Sequence, residues 1–330
     1  MHVTPAATFR SSTELFAPIA RDLDAVERIL RQTLQSEKPG VARLISHLAP
    51  YRGKRLRPAL LLLTAKACGN VTPAHHTLAA VVEMIHTATL VHDDVLDGAT
   101  VRRHAATVNA GWGNQASILL GDWLFTHAFH LASSVDARAC RLIGESTNRL
   151  CAGELHQICE RGNLSLTEDD YLDIIDGKTA ELTACCCRLG ALYAGAGDEV
   201  VEHLANYGRC LGMAFQIADD LLDLVGDEGA VGKSLGTDLE QQKLTLPLIR
   251  VLRHGPLALA ERVRHLLANP DRRQRTALRA CLTESDGFDY ARRRAEELVA
   301  KARRELACLP PSPCRALLEA MSERVVHRSF

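Results

Sequence analysis

Two short runs of aspartate carry the strongest chemical signal in the sequence: Asp93-Asp94-Val95-Leu96-Asp97 and Asp219-Asp220-Leu221-Leu222-Asp223. At average composition a chain of this length holds such an Asp-Asp-x-x-Asp triplet by chance less than ~0.1 times, so two are no accident of composition. Within each run, residues i and i+4 share a helix face one turn apart, and i+1 is also a neighbour of i+4. Each run therefore gathers carboxylates on one side of a helix, near the end that already carries negative partial charge, and needs something positive beside it. All-oxygen ligands without His or Cys in register favour a hard cation, magnesium above zinc or iron. A single run could be a solvated acidic helix end. Two of them, flanked by Val-Leu and Leu-Leu inside apolar helices, point to metal.

Cations accompany the carboxylates. Gly53-Lys54-Arg55-Leu56-Arg57-Pro58 places Lys54 and Arg57 three apart at a helix start, and Arg102-Arg103 follows the first triad. Lys178-Thr179 comes after Gly177, and Lys233 and Lys243 flank the loop behind the second triad. The chain has 32 arginines but only seven lysines, and four of the seven fall in this set. Point-charge contact with phosphate is the natural use of lysine there. Singly, each has a plain surface reading. Together with two carboxylate clusters they describe a cavity for two polyanionic ligands.

The elements that must position these residues are helical throughout. Apolar spacing predicts helices over 14–34, from Thr72-Pro73 to Leu96, and over 115–131, 136–159, 167–193 and 198–225. Thr167 with Asp170 reads as a capping box, and strand signals are scarce. After Val225 comes a polar, glycine-rich loop; from Leu246 helices resume, rich in Arg that the interspersed Glu marks as solvated faces. No linker divides the chain, so residues 1–330 are expected to form one large all-α domain.

Composition narrows the function further. A formal net charge of -1 gives no electrostatic case for nucleic acid. No apolar run is long enough to span a bilayer, and the start lacks a signal-peptide pattern, so a soluble, cytoplasmic protein is expected. The 11 cysteines contain no Cys-x-x-Cys spacing and read as small buried apolar residues rather than metal ligands.

The ordered set of motifs resembles the trans-prenyltransferases of the polyprenyl diphosphate synthase family. The matching segments are Gly53 to Pro58, Glu83-Met84-Ile85-His86 leading into Asp93 to Asp97, Arg102-Arg103, Gly177-Lys178-Thr179, Phe215 to Asp223, Gly232-Lys233, and Lys243 to Pro247. They span about residues 50 to 250 in the family's order. Two positions depart: Arg52 stands where a second glycine is usual, and Gln242 where glycine commonly precedes the lysine.

The resemblance implies a single helical bundle of the isoprenoid synthase type, with the triads facing a central cavity, acting as a homodimer. It implies that Asp93, Asp97 and Asp219 hold magnesium on an allylic diphosphate, helped by Asp94 and Asp223, with Asp220 and Lys178 in the catalytic set. Arg102, Lys178 and Lys233 would bind that diphosphate and Lys243 approach it. Lys54, Arg57, His86 and Arg103 would bind isopentenyl diphosphate, and Thr179 and Gln216 would line the site. A lone His in an apolar helix is usually a core residue, but His86 lies two turns before Asp93 on the same face, which favours the substrate role. His92 and His104 lack that support and read as structural.

Ala88 and Thr89 sit five and four residues before Asp93. Family members that make short products carry aromatics there, so small residues imply a long-chain polyprenyl product. A shorter-chain synthase is the alternative. A terpene cyclase ionises the same substrate, but it needs no second diphosphate site and commonly lines its pocket with aromatics. Here Lys54 and Arg57 supply that second site, and aromatics are only 4% of the chain. A non-catalytic partner subunit should have degraded triads, and these are intact.

Overall fold

The computed structural model describes residues 16–226, 235–268 and 271–326. Helices α1 (Ala20–Thr33), α2 (Pro39–Ser46), α3 (Leu56–Cys68) and α4 (Pro73–Leu96) come first. A hairpin of β1 (Val101–Arg102) and β2 (Ala105–Ala106) then leads into α5 (Val108–Trp112), α6 (Asn114–Ser133) and α7 (Ala137–Cys159). Next come α8 (Glu168–Ile175), a π-helical turn (Asp176–Ala180), α9 (Glu181–Tyr193) and α10 (Asp198–Val225). The remainder is α11 (Thr237–Glu240), α12 (Leu246–His254), α13 (Leu257–Leu267), α14 (Arg275–Thr283), α15 (Gly287–Glu305) and α16 (Pro313–Val326). The fold is all-α. Among the described residues the small hairpin is the only β structure.

Helix ends follow the local chemistry. Pro73 opens α4, and Thr72 and His75 satisfy each other's backbone N–H groups, His75 doing what Glu does in the usual box. Thr167 and Asp170 form the expected box at α8. Two features differ from the sequence-based expectation. The helix expected over 167–193 widens into the π turn at Asp176–Ala180. The segment after Gly98 also forms a hairpin, pairing Val101 with Ala106 and Arg102 with Ala105. Its two-residue turn places Arg103 and His104 at φ 50° and 63°, the pattern of a type I′ turn without the usual Asn-Gly.

Packing groups the chain into two units. One draws on the chain up to Glu145, on Thr183–Gly208 and on Arg303–Arg324; the other on Ser146–Leu182, Arg209–Ala302 and the chain from Val325. In the first, α4 packs along α6, and Leu48, Tyr51, Ala88, Val91, Val108, Leu120 and Leu124 form an apolar cluster under the first triad. In the second, Tyr171, Ile174 and Ile175 of α8 bury against Ile217, Leu221 and Leu224 of α10 and against α12 and α14. Leu221 and Leu224 lie within or beside the second triad, so the same burial that holds α10 fixes where its carboxylates point. Both clusters are apolar surface taken from water, at about 25 cal/mol per Å².

None of the cysteines is joined in a disulfide. Cys185, Cys186, Cys187, Cys210, Cys281 and Cys314 are buried as expected, whereas Cys151 and Cys159 on α7 are exposed. No helix among the described residues is long and apolar enough to cross a membrane.

Candidate active site

The first triad closes α4, with Asp97 as its C-cap and the Asp97 N–H donating to the Asp93 carbonyl at 2.8 Å. Its three carboxylates are not equivalent. Asp93 and Asp97 are half-buried, while Asp94 is fully enclosed. The Tyr51 hydroxyl donates to Asp94 Oδ2, and Arg102 Nε donates to Oδ1 at 2.8 Å. Burial, then the bonded carboxylate, hold the Tyr51 phenol well above the usual phenol range, so it stays a donor. The Asn109 amide reaches the carbonyls of Asp94 and Ala99 at 3.1 and 3.0 Å, tying α5 to the end of α4.

The hairpin turn presents Arg103, whose Nη1 donates to the Tyr51 carbonyl at 2.6 Å. A Cβ on Gly53 would meet that guanidinium at 2.6 to 3.0 Å, so a side chain at this position would push Arg103 aside. Arg55 caps α3 from the left-handed region at φ 52° and donates to Glu27 at 2.5 Å and to the buried Glu83 at 2.6 Å. Arg57 has its Nε buried with no hydrogen-bond partner among the described residues, and burial lowers its pKa. His86 is held well below the ordinary imidazole range by burial and then by Arg57, Arg103, Arg102 and Arg55. It is therefore a neutral imidazole set among guanidinium groups. Lys54 is exposed. The predicted Arg57, His86, Arg102 and Arg103 are thus brought together, with Glu83 balancing Arg55.

The second triad ends α10 and shows the same division. Asp219 is half-buried, whereas Asp220 and Asp223 are buried. Asp220 accepts from the Tyr171 hydroxyl at 2.6 Å and from Gln216 Nε2 at 2.7 Å. Burial pushes its carboxyl up to about 6, against the pull of those two bonds. Gln216 Oε1 in turn accepts from the Thr179 hydroxyl at 2.7 Å, so Thr179, Gln216, Asp220 and Tyr171 form one chain of hydrogen bonds. Asp223 accepts from the Thr237 hydroxyl at 3.2 Å and the Asp238 N–H at 3.3 Å.

Lys178 sits in the π turn with Nζ 2.7 Å from both Glu154 Oε2 and Gln157 Oε1. The turn lies close on α7, since a Cβ on Gly153 would meet the Lys178 nitrogen at 2.5 Å. Lys243 Nζ is 4.0 Å from Asp238 Oδ1. Gln242 adopts φ 57°, which explains why glycine is usual there; its N–H reaches the Leu239 carbonyl, and its own carbonyl accepts from Gly162 at 2.9 Å. Arg52, at φ -64°, needs no glycine. Lys233 lies outside the described residues.

Sequence reasoning missed the two tyrosines, which are 43 and 49 residues from the carboxylates they bind. Arg275 likewise gives no local signal, since its sequence neighbourhood reads as a solvated face. Its guanidinium donates to the carbonyls of Asp223 at 2.9 Å and Gly226 at 2.6 Å, a cation on the negative end of the triad helix.

Among the described residues no three His, Cys, Asp or Glu side chains converge into a group that could hold a metal by themselves. The half-buried Asp93, Asp97 and Asp219 are oxygen donors only, and their buried neighbours are taken up by protein partners. In each unit, oxygen donors of this kind suit a hard cation which completes its shell with water and phosphate oxygens.

The Polyprenyl synthetase family model matches residues 38–284. The chain is similar to octaprenyl diphosphate synthase of Escherichia coli, 36% identical over 315 residues, covering 94% of this chain and 96% of that protein. It is also similar to an all-trans-nonaprenyl-diphosphate synthase of Rhodobacter capsulatus, 35% identical over 317 residues, with 96% and 97% covered. Among solved structures, a polyprenyl synthase from Caulobacter crescentus, complexed with calcium and isoprenyl diphosphate, superposes at a TM-score of 0.91, with 34% identity and 96% and 98% of the two chains covered. The paired aspartate triads, the arginine-ringed His86 and these full-length similarities lead to one assignment: the chain belongs to the polyprenyl synthetase family and is a prenyltransferase of the polyprenyl diphosphate synthase type.

Proposed function

We propose that the chain elongates an allylic prenyl diphosphate with isopentenyl diphosphate, in a magnesium-dependent reaction, to a long-chain all-trans polyprenyl diphosphate. The observation that carries this reading is the split within each triad, where Asp93, Asp97 and Asp219 keep access to solvent and Asp94 and Asp220 are anchored by buried tyrosines. Asp93, Asp97 and Asp219 would hold magnesium, which when bound neutralises charge on the departing pyrophosphate. Arg102, Lys178 and Lys233 bind the allylic diphosphate, with Lys243 close by. Lys54, Arg57, Arg103 and the neutral N–H of His86 bind isopentenyl diphosphate. The chain Thr179–Gln216–Asp220 keeps the carboxamide of Gln216 oriented at the site wall.

In the reaction the allylic C–O bond breaks, pyrophosphate leaves with the electron pair, and the double bond of the second substrate forms the new C–C bond. A proton is then lost to the departing pyrophosphate, the family's usual base. The small pair Ala88 and Thr89 supports a long product. A homodimer is supported by the exposed apolar Trp112, Ile118 and Leu119 at 42%, 44% and 67%.

Incubation with isopentenyl diphosphate, farnesyl diphosphate and magnesium, followed by product mass analysis, tests the reading. Diphosphates lengthened by several isoprene units are expected; a cyclised hydrocarbon without isopentenyl incorporation would overturn it. A second expectation concerns the two diphosphates. Arg103→Ala or Lys54→Ala should raise KM for isopentenyl diphosphate by about tenfold, and KM for the allylic primer much less, because each removes one charge-assisted contact. The reverse order in steady-state kinetics would mean that the two sites are exchanged.

A further inference from the structure

Asp94 holds two different groups on one carboxylate. It is fully buried, with Nε and Nη2 of Arg102 both 2.8 Å from Oδ1 and the Tyr51 hydroxyl on Oδ2. Arg102 supplies the positive charge, and a buried carboxylate that loses its cation pays a large desolvation penalty unless other donors remain. Tyr51 is built to remain. Its ring is 2% exposed within the apolar cluster, and its oxygen also accepts the Val108 N–H at 3.3 Å, so it cannot follow Arg102 away.

We propose that Tyr51 is a positioning residue for the allylic substrate: its hydroxyl carries the Asp94 carboxylate so that Arg102 can leave it for the diphosphate. The inference rests on the reading of Arg102 as an allylic-diphosphate ligand. Without the hydroxyl, the charge of Asp94 falls wholly on Arg102, which is then held back from substrate. Arg103 is different. It hangs on the backbone carbonyl of Tyr51 at 2.6 Å, which any residue at that position supplies. Losing the hydroxyl should therefore touch one substrate and spare the other.

The test is calorimetric binding, with magnesium and without turnover, of the unreactive analogue farnesyl thiodiphosphate and, separately, of isopentenyl diphosphate. Tyr51→Phe is expected to weaken the allylic analogue about tenfold, the scale of one hydrogen bond to a charged group, and to change isopentenyl diphosphate binding less than about twofold. Arg102→Ala should weaken the analogue by itself, and adding Tyr51→Phe in that background should cost nothing more, since the tyrosine acts through the arginine. Metal-free melting curves establish that each variant is folded.

Additive losses in the double variant, or unchanged analogue binding in Tyr51→Phe, overturn the proposal. Unchanged binding in Arg102→Ala instead removes the Arg102 reading, and the proposal with it. If Tyr51→Phe does not fold, p-aminophenylalanine at position 51 keeps a weaker donor in place. An intermediate loss of analogue affinity is then expected, and no loss overturns the proposal.

Discussion

Asp219→Ala is expected to lower kcat about a thousandfold, and Asp93→Ala to do the same, at saturating substrate and magnesium. Each removes a solvent-reaching carboxylate from a triad whose cation would already rely on water and phosphate to complete its shell. Stabilisation of the departing pyrophosphate is lost with it, commonly the largest part of catalysis in such reactions. Asp94→Ala should fail in another way. It strips the partner from the buried Tyr51 hydroxyl and from the half-buried Arg102 guanidinium, and so lowers stability. Kinetics over a magnesium series, with melting temperatures, separate the two kinds of loss. Near-normal kcat in Asp93→Ala or Asp219→Ala would refute the metal assignment.

Thr89→Phe is expected to shift the product distribution to markedly shorter chains while leaving the first condensation largely intact. Thr89 is half-buried, with its hydroxyl turned back to the His86 carbonyl at 2.8 Å, one turn before Asp93 on α4. A ring there stands in the way of a tail growing along that face. The neighbouring Ala88 is a poorer probe than the sequence alone suggests. It is completely enclosed by Leu48, Tyr51, Val91, Val108, Leu120 and Leu124, so Ala88→Phe must overpack this cluster, at a cost of about 1–3 kcal/mol. Mass analysis of products from both variants distinguishes the faces. Unchanged chain length in a folded, active Thr89→Phe enzyme would place the tail elsewhere.

The long helices and both triads were legible because their signals are local. Pro73 and the Thr167–Asp170 pair mark starts, and four-residue spacing puts Asp93 with Asp97 and Asp219 with Asp223. What was not legible depends on distance in the chain. Nothing near Asp94 announces Tyr51, and nothing near Asp220 announces Tyr171; only packing brings each hydroxyl to its carboxylate. The division of each triad into accessible and anchored members is invisible for the same reason. Arg275 looked like one more surface arginine because its partners are backbone carbonyls 49 and 52 residues away. The hairpin escaped because Arg103 and His104 hold left-handed conformations that glycine or asparagine would normally advertise. The π turn escaped because one extra residue per turn leaves little trace in a 3.6-residue period.

That hairpin turn also sets a limit on how the chain can change. Surface connections ordinarily absorb extra residues at little thermodynamic cost. Here the two turn residues fix the pairing of Val101 with Ala106 and Arg102 with Ala105, and Arg102 is bound at once to Asp94. One inserted residue would slip the register and swing Arg102 to the opposite face of the ribbon. The relaxed solution, Asn-Gly, is closed as well, because one of the two turn seats is occupied by the Arg103 guanidinium. The turn therefore keeps two left-handed side-chain-bearing residues, at about 1 kcal/mol or more each, and a stretch that looks like a freely variable loop is frozen in both length and composition.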